Sequence, residues 1–202
     1  MKLWVECSFG RRSMLKNILF AMLMLTCTAV VSAQEAQGDG IKINVQKDGD
    51  AIVIDLSVTV DATPQEAWEV LTDFDHMTQF LSNMQSSKIL EKNGNTWTVA
   101  QKGQTSHGPF SFAFENVRAV ELEPFKNIRS HLIRGSMKKL DGVTQLMPSG
   151  DATRIVYHSE SISNVWVPPM VGISLVEDQV RKQFQEMQAE IMRRKSTAKS
   201  RG

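Results

Sequence analysis

His131, Tyr157 and His158, with Arg129 and Glu160 beside them, are the side chains that could move protons or orient a ligand carbonyl or hydroxyl. All five fall in segments that alternate like strands. Alternation leaves both faces open, with Ile155 and Tyr157 sharing one and Val156 and His158 the other. His76 follows Asp73-Phe74-Asp75, but neighbours at a helix-to-helix turn point apart. Asp75 suits a helix cap, so this cluster reads as capping rather than as a metal site. His107 sits in a loop, Ser106-His107-Gly108-Pro109. The chain has no Gly-x-Ser-x-Gly, no HExxH, no glycine-rich phosphate loop and no paired His–carboxylate metal spacing. No catalytic residue, metal ligand or cofactor is therefore assigned. Were the protein an enzyme, His131, Tyr157 and His158 would carry its protons.

Such residues need elements to hold them, and the first question is how much of the chain folds. The run Ile18–Val31 is fourteen residues without a charge, preceded by Arg11, Arg12 and Lys16 and followed by Val31-Ser32-Ala33. A membrane-spanning helix needs about 20 apolar residues. A basic start, a short apolar middle and small residues before a cut after Ala33 make residues 1–33 a secretory signal peptide, and the expected location is periplasmic or secreted. The cut removes four of the 23 basic and one of the 22 acidic residues, turning a net charge of +1 into −2. That balance excludes a general nucleic-acid binder. Cys7 and Cys27 both leave with the leader, so the mature chain has no disulfide and no thiolate chemistry.

Residues 34–40 read as a lead-in and 41–194 as one domain. Ile41, Ile43 and Val45 alternate, Asp48-Gly49-Asp50 turns, and Ile52, Ile54, Leu56, Val58 and Val60 alternate without a break. Thr63-Pro64-Gln65-Glu66 is a capping box with proline at the first helical position, opening a helix with Ala67, Trp68, Val70, Leu71 and Phe74 on its apolar face. A second short helix carries Met77, Phe80 and Leu81. Strands separated by turns follow from Ser86 to Ser163, with a loop through Gly103 to Pro109. Pro168-Pro169 argues against helix at that point, and Ser174-Leu175-Val176-Glu177 reads as a second capping box. Val176, Val180, Phe184, Met187 and Ile191 form one face of a long helix, with Glu177 and Arg181 paired on its solvent side. Residues 195–202 read as a basic tail, a solvated charged end for which peripheral contact with anionic lipid is the alternative.

One sheet of six or seven antiparallel strands, one long late helix and two short early ones pack economically as a curved sheet gripping the long helix. This is an α+β arrangement that leaves a cavity. Its expected walls are Met77, Phe80, Trp97, Val99, Phe110, Phe112, Phe114, Tyr157, Trp166, Met170 and Phe184, because methionine and aromatic side chains adapt to a flexible apolar ligand.

Ala67-Trp68-Glu69-Val70-Leu71-Thr72-Asp73-Phe74-Asp75-His76-Met77, then Phe80-Leu81-Ser82-Asn83-Met84, and Trp166-Val167-Pro168-Pro169 before the last helix, resemble the polyketide cyclase/dehydrase and coenzyme Q-binding families of the START-like (SRPBCC) superfamily. The resemblance runs from Ile52 to Arg194 and implies the helix-grip fold. The function expected is an exported carrier of a lipid, isoprenoid quinone or polyketide-like molecule. The alternatives are a cyclase or dehydratase using polar cavity residues, and a protein-interaction module with a vestigial cavity.

Overall fold

The computed structural model describes residues 40–107, 110–164 and 169–200; the leader expected at 1–33 lies outside them. Eight strands form one antiparallel sheet: β1 (Lys42–Asp48), β2 (Ala51–Val60), β3 (Met84–Asn93), β4 (Thr96–His107), β5 (Phe110–Glu123), β6 (Asn127–Gly135), β7 (Met137–Ser149) and β8 (Ala152–Ser163), in the order β1-β2-β8-β7-β6-β5-β4-β3. Helix α1 (Pro64–Leu71) and a 3-10 helix (Phe74–Gln79) connect β2 to β3, and α2 (Pro169–Lys199) follows β8. This is the expected helix-grip architecture. The eighth strand is β1, which joins as an edge strand because its register with β2 runs without a break from Lys42↔Ser57 to Asp48↔Ala51.

Local chemistry explains most of the elements. The turns at Gly49 and Gly94 hold glycine at φ of 58° and 56°, where an L side chain is strained. Thr63 accepts from the Glu66 N–H and the Glu66 carboxylate accepts from the Thr63 N–H at 2.8 Å, completing the capping box. Register shifts in the β3–β4, β5–β6 and β7–β8 pairings bend the sheet. Phe125, at the β5–β6 turn, has φ of 64° and lays its ring edge-on against Trp68 at 5.8 Å.

Three local expectations are corrected. The segment through Gly103 continues β4 as far as His107 and pairs with β5 along its length. A side chain at Gly103 would meet the Phe114 ring and the Asn83 carbonyl, so the glycine is an allowance for close packing rather than a turn. Helix α2 begins at Pro169, ahead of Ser174, because proline at a first helical position lacks only an N–H that has no helical partner. Asp75 does not cap the 3-10 helix; Asp73 precedes it, and the Asp75 carboxylate accepts the Ile89 N–H at 2.9 Å.

The core lies between the concave sheet face and the helices. Leu56, Val58 and Val60 of β2, Val99, Val120, Ile128, Leu146 and Ile155 meet Phe184, Met187 and Ile191 of α2, with Ala67, Val70 and Phe74 closing one end. The far half of α2 is also held by charge. Glu190 is buried, and its carboxylate accepts from Arg193 and from Arg194, each at 2.7 Å, while Arg194 reaches Asp73 at 2.8 Å. The hydrogen bonds from Arg193 outweigh burial and hold the Glu190 carboxyl at about 2 instead of 4.5. A depressed carboxyl stabilises the fold above its ordinary value and loses that contribution as pH falls toward the folded one. Glu190→Gln is therefore expected to cost on the order of 2 kcal/mol near neutral pH. Urea denaturation of the variant should lack the acid-labile component that the native protein loses between about pH 4.5 and about pH 2.

Candidate functional site

Between the sheet and the middle of α2 lies a cavity of about 120 Å³. Its apolar lining is Leu71, Phe74, Met77, Val120, Ile128, Val180, Phe184 and Met187; its polar lining is Gln101, Arg118, Ser130, Thr144, Tyr157 and Gln183, with Gly142 beside the Tyr157 ring. Drug-sized pockets occupy roughly 300–1,000 Å³, while an engineered cavity of about 150 Å³ holds benzene. As it stands, the interior is the size of one ring.

Strand alternation decides what enters it. On β5 the even positions face inward, so Arg118, Val120 and Leu122 follow Phe114 on the concave side. On β4, Val99 stands opposite Arg118 and Gln101 opposite Asn116. Gln101 is oriented by its own bonds, its amide nitrogen donating to Ser87 Oγ at 3.0 Å and to Met77 Sδ at 3.2 Å. Its oxygen is left to accept from Arg118 Nη2. Arg118 is part-buried and lines the cavity. Burial pushes the guanidinium below its ordinary value, and the nearby Tyr157 opposes that shift. An arginine nonetheless stays charged at any physiological pH.

The expected wall is met in part. Met77, Tyr157 and Phe184 line the cavity, and the last two rings pack at 5.4 Å. Phe80, Trp97 and Phe114 pack against the core outside the lining, Trp97 edge-on to Phe74 at 6.3 Å. Val99 is wholly buried in the core, and Phe112 is half-buried away from the cavity. Trp166 lies outside the described residues, as do the side chains of Phe110 and Met170.

The polar cluster expected from the histidines does not assemble. Tyr157 faces in, but His131 and His158 lie on the outer face, more than half exposed, bonded to Asp141 at 3.1 Å and to Asp55 at 2.8 Å. Glu160 is also away from the lining, paired with Lys139 at 2.6 Å. The reason is register. Inward Ile128 and Ser130 put His131 outside, and inward Ile155 and Tyr157 put His158 outside. His76 bonds Asp73 at 2.6 Å at the surface. Among the described residues no group of three His, Cys, Asp or Glu stands together as metal ligands would.

Arg118 and Gln101 are the site residues that residue-type reading missed. The signal was available: extending the face shared by Phe112 and Phe114 places Arg118 on it, and extending Trp97 and Val99 places Gln101.

Two substitutions separate the roles of the lining. Phe184→Ala should cost about 3–5 kcal/mol in denaturant unfolding, through lost burial and the void it leaves. Arg118→Met should leave the stability of the ligand-free protein intact or raise it by about 1–2 kcal/mol, because it removes a buried charge that lacks a carboxylate partner.

Comparison with known proteins agrees with this geometry. The model of the family described as polyketide cyclase / dehydrase and lipid transport matches residues 60–188. A search of curated proteins finds no match. Among solved structures, the fold is shared with a STAR-related lipid transfer protein from Xanthomonas axonopodis (TM-score 0.65, 14% identity, 77% of this chain and 95% of that one). It is also shared with the Zhui aromatase/cyclase from a Streptomyces species (TM-score 0.60, 16% identity, 71% and 95%) and a START superfamily protein from Mycobacterium smegmatis (TM-score 0.60, 17% identity, 70% and 97%). A helix-gripping sheet, a half-polar cavity against its helix and a family match over most of the folded region converge: the chain belongs to the polyketide cyclase / dehydrase and lipid transport family, with a START-like fold.

Proposed function

We propose that this protein is an exported carrier that holds a hydrophobic small molecule between the sheet and α2. The observation that carries the reading is the cavity itself, walled by Phe74, Val120, Ile128, Phe184 and Met187 with a few polar groups among them. Apolar area removed from water at roughly 25 cal/mol per Å² drives uptake, and the polar groups set orientation. The present volume fits one ring, so a longer ligand enters only as the face of α2 bearing Val180, Gln183 and Phe184 yields. The sequence of residues 1–33 supports delivery outside the cytoplasm.

A second reading, a cyclase, draws on the polar groups that converge in the cavity. Arg118 and Tyr157 could polarise a carbonyl there. Cyclisation also needs a base, and among the described residues the lining contains no carboxylate or imidazole. That asymmetry favours the carrier. The two readings part on a poly-β-ketone thioester. A carrier binds it and slows its spontaneous cyclisation, whereas a cyclase accelerates ring formation in proportion to enzyme.

Two measurements test the main proposal. Native mass spectrometry of protein released from cells under mild conditions should show an apolar adduct, or uptake from a panel of lipids, quinones and aromatic polyketides. Protein that stays empty against the whole panel overturns it. N-terminal mass analysis of the exported protein should begin at Gln34. Full-length protein confined to the cytoplasm overturns the export half.

A further inference from the structure

Several cations of the fold have carboxylate partners. Arg194 bonds Glu190 and Asp73, Arg193 bonds Glu190, Arg181 bonds Glu177, and Lys139 bonds Glu160. Arg118, part-buried in the cavity wall, has the neutral oxygen of Gln101 as its one hydrogen-bond partner among the described residues, and no described carboxylate forms an ion pair with it. A guanidinium has five N–H donors in a planar fork, and the bond to Gln101 leaves most of that capacity unspent. An unpaired buried charge is costly to keep. Among the described residues the lining around it contains no Asp or Glu to repel an anion, and it supplies the Tyr157, Ser130 and Thr144 hydroxyls.

We propose that Arg118 is the counter-ion of the ligand, and that the cavity takes a monocarboxylate whose compact apolar body lies against Phe74, Val120, Ile128, Phe184 and Met187. The proposal rests on the reading that the cavity binds a hydrophobic small molecule, and it adds the head group. A carboxylate matches the guanidinium fork with two parallel hydrogen bonds. One buried positive charge balances one negative charge. A phosphate monoester would bring a second charge that nothing in the lining offsets. The ring-sized volume sets the scale of the body: an aryl or short alkyl acid fits with little rearrangement, and a long chain fits only as α2 yields.

The test compares matched pairs of probes on the full-length folded protein by isothermal titration calorimetry: phenylbutyrate with phenylbutanol, and decanoate with decanol. The acid of each pair should bind at least about 10-fold tighter than its alcohol, as expected for a charge-assisted pair against a neutral one. In Arg118→Met the ratio should fall to about one, while Arg118→Lys should keep part of it. Because the comparison within the native protein needs no variant, a misfolded Arg118→Met leaves the test intact. Equal affinity for acid and alcohol in the native protein overturns the head-group assignment and leaves the carrier reading standing. Binding of neither member overturns both. A preference for the acid that survives in folded Arg118→Met places the anion elsewhere and overturns the assignment.

Discussion

The burial of one face of α2 in the hollow of the sheet is the interaction on which the rest depends. Phe184, Met187 and Ile191 supply the apolar surface, and the curved sheet meets it with Val99, Val120, Ile128 and Ile155. Glu190 sits on the same stretch and is buried with them. A carboxylate there would be destabilising if it were unpaired. Arg193 and Arg194 both bond it, and Arg194 extends to Asp73, so one buried acid fastens the long helix to the short-helix pair. Glu186 accepts the Ser82 N–H and Lys195 reaches Asp61, adding two more ties on the same half of the helix. Lys195, read from the sequence as the start of a free basic tail, is thereby committed to the fold. The helix continues to Lys199.

These anchors determine where a hollow can persist. They concentrate from Glu186 onward, while the cavity runs alongside Val180, Gln183, Phe184 and Met187. Toward its start α2 is held by different means: the Arg181 bond to the Ile41 carbonyl at 3.2 Å, the Thr105–Gln179 hydrogen bond and the burial of Leu175. The hollow therefore lies beside the ion-paired half of the helix and extends toward the half that carries Leu175, Gln179 and Arg181. Hydrogen bonds exchange with water at little net cost, whereas breaking a buried ion pair strands a charge.

The two faces of the sheet distribute polarity in opposite ways. Outside, His131 with Asp141, His158 with Asp55 and Lys139 with Glu160 are cross-strand pairs in water, where each contributes little to stability. Inside, the guanidinium of Arg118 sits in a wall of mixed polarity with one neutral partner among the described residues. The inside arrangement is the costly one, and sites that lower stability are where binding chemistry collects.

Period and punctuation settled the local structure. Alternation from Ile52 to Val60, the Thr63–Glu66 capping box, the glycine turns and the spacing from Val176 to Ile191 are properties of neighbouring residues, so they were legible in the residue order. The START-like fold followed from their order and from the residues about Ala67–Met77. The face of each later strand was not legible, because period two gives two equivalent choices until cross-strand partners select one. Tertiary pairing made that selection. It turned His131 and His158 toward water, brought Arg118 and Gln101 inward to meet Tyr157 across the hollow, and so placed the chemistry of the site on residues whose types alone did not announce it.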